Sequence, residues 1–246
     1  MSRRLATLSL SLVALFVAGC GGGGTNTAPK PEIYFINASP DSVSLDYRMD
    51  DSAFETGVAY LGSSAAFRSI DFRGPDVEGW DVSTHVTSSG LELDRQAIIF
   101  SEDTDYLIVT HGLLTPPVGE QLKRLRVTQF TVDRRAPIGN KARLIVFHGL
   151  EREPGKSTPA VVFQDAVDQP QFSSGTIQPG AQASFLVDTG TRTWFVKRDG
   201  TDGQFVSGSF SFAPGNVYAV IISGVENDAN PAKQPKITAI PLPTVQ

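Results

Sequence analysis

The chain has 246 residues but one cysteine, three histidines and two tryptophans. A single cysteine excludes a disulfide within the chain. Neither paired cysteines nor a His-x-x-x-His spacing occurs, so a structural zinc site has no ligand set. The histidines, His85, His111 and His148, are scattered, and no Gly-x-Ser-x-Gly elbow accompanies them. Basic residues are in the minority, 21 against 26 acidic, for a net charge of −5. That balance, without a clustered Lys/Arg stripe, argues against a nucleic-acid partner. No apolar run reaches the roughly 20 residues that a membrane-spanning helix requires. Beyond Val17 no long stretch keeps a helical period.

What is present begins at the N-terminus. Arg3 and Arg4 precede an uncharged run from Leu5 to Val17, and small residues lead to Cys20. A basic start, a short apolar stretch and small residues before a cut are the parts of a secretory signal. Val17-Ala18-Gly19-Cys20 resembles the lipobox of bacterial lipoproteins. The resemblance implies cleavage before Cys20 and a lipid on its sulfur, which also explains a lone cysteine in an exported chain; a free thiol or an intermolecular bridge is the alternative. Two or more acyl chains hold a protein stably on a membrane. Without Arg3 and Arg4 the balance becomes 19 basic against 26 acidic residues. Gly21 to Gly24 and Thr25 to Pro31 cannot bury a core and read as a tether. By resemblance to enteric sorting, Gly21 in place of Asp after the lipid cysteine favours the outer membrane.

From Glu32 onward the signals are those of strands. Ile33–Ile36, Ala97–Phe100, Tyr106–Val109, Leu144–Phe147 and Tyr218–Ile222 are short runs of β-branched and aromatic residues bounded by turn formers. Arg124 to Val132 alternates polar with apolar, as a half-buried strand and candidate sheet edge does. The body also repeats. Phe100, Tyr106 and Gly112 match Phe212, Tyr218 and Gly224; Gly57, Gly62, Ala65 and Phe67 match Gly175, Gly180, Ala183 and Phe185; Ile33–Ala38 matches Leu144–Gly149. Trp80 and Trp194 follow as a fourth pair, with a longer loop around Arg73-Gly74-Pro75 in the first copy. The expectation is a signal peptide over 1–19, a lipid-anchored tether over 20–31, and two tandem β-sandwiches over 32–134 and 141–243. Each has about the size of an independent domain. Seven or so strands in such a length resembles an immunoglobulin-like or transthyretin-like sandwich.

Ile36-Asn37-Ala38-Ser39-Pro40-Asp41 through Asp46-Tyr47 resembles the opening of the domain-of-unknown-function 4397 family, where a His/Asn-Ala-Ser-Pro-Asp turn joins two strands. The Gly57–Phe67 and Asp103–Val109 segments resemble its later strands. The resemblance implies an exported β-sandwich module, often tandem or lipid-anchored, with no established activity. The second copy departs from it, since His148-Gly149-Leu150-Glu151 lacks the Ser-Pro-Asp turn.

The candidate sites are few. Asp41 and Asp46 read as turn-holding carboxylates, Asp46 accepting N–H groups of the Pro40 loop, with ligand contact as the rival reading. Trp80 and Trp194 are core residues or sugar-stacking platforms. Asp199-Gly200-Thr201-Asp202-Gly203 reads as a hairpin rather than a calcium loop. Lys123-Arg124-Leu125-Arg126 reads as a solvated strand and turn. No cofactor or metal is expected. The function expected is a non-enzymatic binding or structural module of the cell envelope, held on the membrane by lipid and meeting an envelope protein or glycan. A carbohydrate-binding module and a hydrolase with scattered carboxylates are the alternatives.

Overall fold

The computed structural model describes residues 30–72, 77–201 and 204–245. The expected signal peptide, Cys20, most of the tether, the Arg73-Gly74-Pro75 segment and Asp202-Gly203 lie outside the described residues. The first half contains β1 (Glu32–Asn37), β2 (Leu45–Met49), β3 (Ser52–Val58), β4 (Arg68–Ser69), β5 (Val77–Val86), β6 (Glu92–Ser101), β7 (Asp105–His111) and β8 (Arg126–Val132). The second contains β9 (Lys141–Glu151), β10 (Val161–Gln164), β11 (Ser173–Ile177), β12 (Gln182–Asp188), β13 (Gly190–Arg198), β14 (Gln204–Phe212), β15 (Val217–Val225) and β16 (Lys236–Leu242). Among the described residues one 3-10 turn, Gln121–Lys123, interrupts the strands.

The protein is all-β, with four four-stranded sheets arranged as two sandwiches. The first pairs sheet β4-β1-β7-β8 with β3-β2-β5-β6, and the second pairs β12-β9-β15-β16 with β11-β10-β13-β14. Each module thus has eight strands, one more than the seven or so expected, and the same order recurs in both. Strands β1 and β7 run parallel, as do β9 and β15.

Parallel strands buried on both faces are apolar throughout rather than alternating, and these four show why. On β1, Ile33 and Phe35 enter the first sandwich core, while Tyr34 and Ile36 enter a separate cluster. Strand β7 divides likewise, with Tyr106 and Ile108 on one side and Leu107 and Val109 on the other. In the second module Leu144, Val146, Tyr218 and Val220 face that module's own core. Ile145, Phe147, Val217, Ala219 and Ile221 face the shared cluster. The two inner sheets therefore pack on each other, making a third apolar layer between the modules.

The modules stand side by side, pointing the same way. At the start of β1, the buried Arg134 bonds both Glu32 and Asp105, stacks 3.8 Å over Phe67 and reaches the Pro243 carbonyl of the second module. Arg143 closes the same end on Asp133. At the finish of β1, Ser223 donates to the Ala38 carbonyl at 2.5 Å, and the His111 ring meets Phe147 edge-on at 5.1 Å. The chain enters from Lys30 at the first end. Segments 38–44, 112–125, 152–160 and 226–235, which follow the inner strands β1, β7, β9 and β15, all project from the other.

Pairing also refines the internal repeat. Phe100 and Tyr106 do correspond to Phe212 and Tyr218. Each tyrosine hydroxyl accepts the backbone N–H after its phenylalanine, Ser101 at 3.0 Å and Ala213 at 3.1 Å. The tryptophans do not correspond. Glu78 pairs with Phe100 as Gly190 does with Phe212, so the register sets Trp194 in the place of Val82 and Trp80 in that of Arg192. The Gly62–Gly180 match is one residue off. Leu61 and Gly180 both take positive φ, 58° and 73°, and donate to equivalent carbonyls, Asn37 and His148, each at 2.7 Å.

Candidate functional site

The sequence candidates separate once placed in the fold. Trp194 is fully buried in the second core, stacked parallel on Phe163 at 4.8 Å. No ligand reaches it, so it is a core residue and not a sugar platform. Trp80 packs half-buried against the first core. Asp41 accepts the backbone N–H groups of Leu114 at 2.8 Å and Thr115 at 3.0 Å, and so fastens the 112–125 segment to the β1–β2 turn. Asp46 accepts Gly57 N–H at 2.9 Å and the Thr87 hydroxyl at 2.6 Å. Its donors come from β3 and the β5–β6 turn, not from the Pro40 loop as expected. Both carboxylates therefore act as structural acceptors.

Asn37 organises the turn that follows β1. Its side-chain oxygen accepts Ser39 N–H at 3.1 Å, and its amide donates to the Val58 carbonyl at 3.1 Å. In the second module His148 occupies the same place. Its Nδ1 accepts Leu150 N–H at 3.3 Å, and its Nε2 donates to the Pro159 carbonyl at 2.9 Å. Asparagine and neutral imidazole both offer one acceptor and a donor, so either residue holds the turn.

The chemistry-bearing residues gather instead at the loop end, between the modules. There the 112–125 segment meets the 152–160 segment around an open cavity of about 530 Å³. Lys123 is buried: its ammonium donates to the carbonyls of Arg152 at 2.9 Å and Glu153 at 3.0 Å and pairs with Glu120 at 2.5 Å. Gly155 N–H donates to the same Glu120 carboxylate, which these partners hold below its ordinary pKa, the Lys123 bond foremost. Glu151 ends β9 and is 5% exposed. The Thr158 hydroxyl donates to its Oε2 at 2.9 Å, but burial raises its pKa above the usual carboxylate range. Arg126 opens β8, donates to the Leu122 carbonyl and borders the cavity with Lys156, Ser157, Thr158 and Pro179.

Arg126 also lines a neighbouring cavity of about 660 Å³, bounded by Glu92, Asp94, Arg95 and Arg124. The carboxylates of these cavities are engaged. Glu92 grips Arg95 at 3.1 and 2.7 Å, and Asp94 accepts Val127 N–H at 3.0 Å. Among the described residues no group of three or more His, Cys, Asp or Glu side chains is placed to hold a metal ion.

The basic run at Lys123 to Arg126 is only in part the solvated strand and turn expected: Arg124 is exposed, but Lys123 and Leu125 are buried. The sequence carries a signal for this site in strand parity. Glu151 shares its parity on β9 with Ile145 and Phe147, and Arg126 shares its parity on β8 with Phe130 and Val132. Period two places both on the face between the modules. The signal becomes readable only once that face is known to be buried.

The class defined by this fold is a pair of tandem β-sandwiches joined through their inner sheets. No family model matches the chain, and no curated protein matches it. Two solved structures share a broad likeness. One is the family 26 carbohydrate-binding module of Eubacterium rectale Amy13K in complex with maltoheptaose, 10% identical over 85% of this chain and 95% of that one, with a TM-score of 0.24. The other is a candidate cell adhesion protein from Bacteroides ovatus, 12% identical over 89% of this chain and 99% of that one, with a TM-score of 0.25.

Proposed function

We propose that this chain is an exported, lipid-anchored envelope protein that works by display rather than catalysis. One observation carries the reading: both modules direct the segments following their inner strands to the end opposite Lys30, where the tether enters. A lipid on Cys20 then fixes location, residues 20–31 give reach, and the fused sandwiches hold a loop surface away from the membrane. The third apolar layer makes that surface a rigid composite of both modules, which suits recognition of an envelope protein or a glycan. The engaged carboxylates around the cavities favour binding over hydrolysis. The likeness of residues 36–47 to the 4397 family, with its exported modules, supports the same reading, and Gly21 favours the outer membrane.

Metabolic labelling with a fatty acid tests the anchor. Wild type should take up label and sediment with membranes. Cys20→Ala should lose the label and the membrane association together. An unlabelled wild-type product would end the proposal.

A further inference from the structure

We infer that the cavity between the modules binds an oxyanion carried on a hydroxylated scaffold, an acidic saccharide or a polyol phosphate. The inference takes from the display reading only the outward position of the cavity. Three cations line the cavity, Lys123, Arg126 and Lys156, with two carboxylates, Glu120 and Glu151. Lys123 and Glu120 neutralise each other at 2.5 Å, and Lys123 is further tied to two carbonyls. Glu151, buried at the end of β9 and bonded by Thr158, still leaves the lining one cation in excess when it is counted as charged. What remains is positive: among the described residues neither Arg126 nor Lys156 has a carboxylate within ion-pair distance. In a chain of net charge −5 this is a local inversion of sign.

The donors suit an oxyanion. Arg126 presents a planar fork of N–H groups whose hydrogen bond here goes to a backbone carbonyl, leaving others for a carboxylate or phosphate. Lys156 adds a point charge, and Ser157 a hydroxyl. The cavity, about 530 Å³, is far larger than a bare ion and falls within the range of small-ligand sites. The Thr158 hydroxyl and Glu151 provide hydrogen-bonding partners for ligand hydroxyls, while Leu122 and Pro179 give apolar faces for a C–H surface. Both modules contribute walls, Gly119 to Arg126 from one and Glu151 to Pro179 from the other, so the site exists only in the tandem protein.

Calorimetric titration of the full chain in detergent tests the site, with tetragalacturonate, its methyl ester and glycerol 3-phosphate as probes. At least one anionic probe should bind, and the acid should bind at least 10-fold more tightly than the ester if it is the one. Arg126→Gln and Lys156→Gln should each weaken that binding at least 5-fold. Lys141→Gln, at the opposite end, should leave it unchanged. Binding by glycerol 3-phosphate alone would identify a polyol phosphate, and binding by tetragalacturonate alone an acidic saccharide. Lys156 is exposed, so its variant retains the fold even if Arg126→Gln does not. Measurable binding of acid and ester with equal affinity, no binding by any probe, or full affinity in Lys156→Gln would overturn the inference. Because binding is read in detergent, it fails or succeeds independently of acylation.

Discussion

At the scale of single residues, two buried imidazoles make stability depend on pH. His148 holds its turn by accepting at Nδ1 and donating at Nε2, which requires the neutral ring. Burial lowers its pKa to about 4. His111, beside Arg126 and against Phe147, is lowered to about 3, again chiefly by burial. In the unfolded chain a histidine takes its proton near pH 6.5. Between that value and the folded pKa the unfolded state binds more protons, so stability falls as pH drops. The contribution is complete above pH 6.5 and is lost on passing about pH 4 for His148 and about pH 3 for His111. At about 1.4 kcal/mol per unit, each ring costs roughly 2 kcal/mol by pH 5. Glu151, whose pKa is raised, acts with the opposite sign, so the comparison belongs between variants. Asn37 fills the equivalent place without titrating, so His148→Asn should keep its stability at pH 7 within about 1 kcal/mol. It should lose about half of the histidine-dependent decline between pH 7 and 5. Denaturant titrations of both proteins across that range measure it. Parallel pH profiles would show that His148 is not the titrating group.

At the scale of elements, the turn closing the inner sheet is built twice on one glycine. Gly112 and Gly224 take φ of 85° and 121°, and a Cβ on either would lie 2.5 Å from a carbonyl oxygen, that of Arg124 or Gln234. Neither oxygen can retreat easily, because Leu113 and Val225 bond back across the same turns. Gly57 has φ of 71° but open space around it. Gly112→Ala and Gly224→Ala should therefore each cost about 2–4 kcal/mol, and Gly57→Ala about 1 kcal/mol. Equal midpoints for Gly57→Ala and Gly112→Ala on denaturation would show that the close contact does not matter. These glycines were legible in the sequence, as were the strands: β1, β7, β9 and β15 stand where the apolar runs are, since burial on two faces leaves no polar position. The tryptophan pairing was not legible, because Trp80 and Trp194 share a residue type but not a register. The one-residue slip at Gly62 had a similar origin, as Leu61 takes the left-handed position that glycine holds in the second copy. The site itself hid for a different reason. Lys123 and Glu151 look like solvated charges until the inner sheets are known to face each other.

At the scale of the whole molecule, the governing feature is that the two inner sheets cover each other. Tyr34, Ile36, Leu107 and Val109 on one side meet Ile145, Phe147, Val217, Ala219 and Ile221 on the other. Equivalent positions meet reciprocally: His111 lies against Gly180 and Phe147 of the second module, while its counterpart Ser223 bonds Ala38 and Tyr60 of the first. Such reciprocity is that of a two-fold interface, in which one patch serves both partners. A module cut from its neighbour would expose this whole face, and soluble monomers rarely expose contiguous apolar patches above a few hundred Å². The fragment 141–245 alone should therefore pair with itself, with sedimentation shifting from monomer toward dimer as concentration rises. Adding the fragment 30–140 should replace that homodimer with a one-to-one complex. Ile221→Asp places a charge in the middle of the face, and a buried unpaired carboxylate is costly. It should keep 141–245 monomeric and abolish capture of 30–140. A wild-type fragment 141–245 that stays monomeric at high concentration and ignores 30–140 would mean that the linker, through Arg134 and Arg143, holds the modules together without help from the apolar layer.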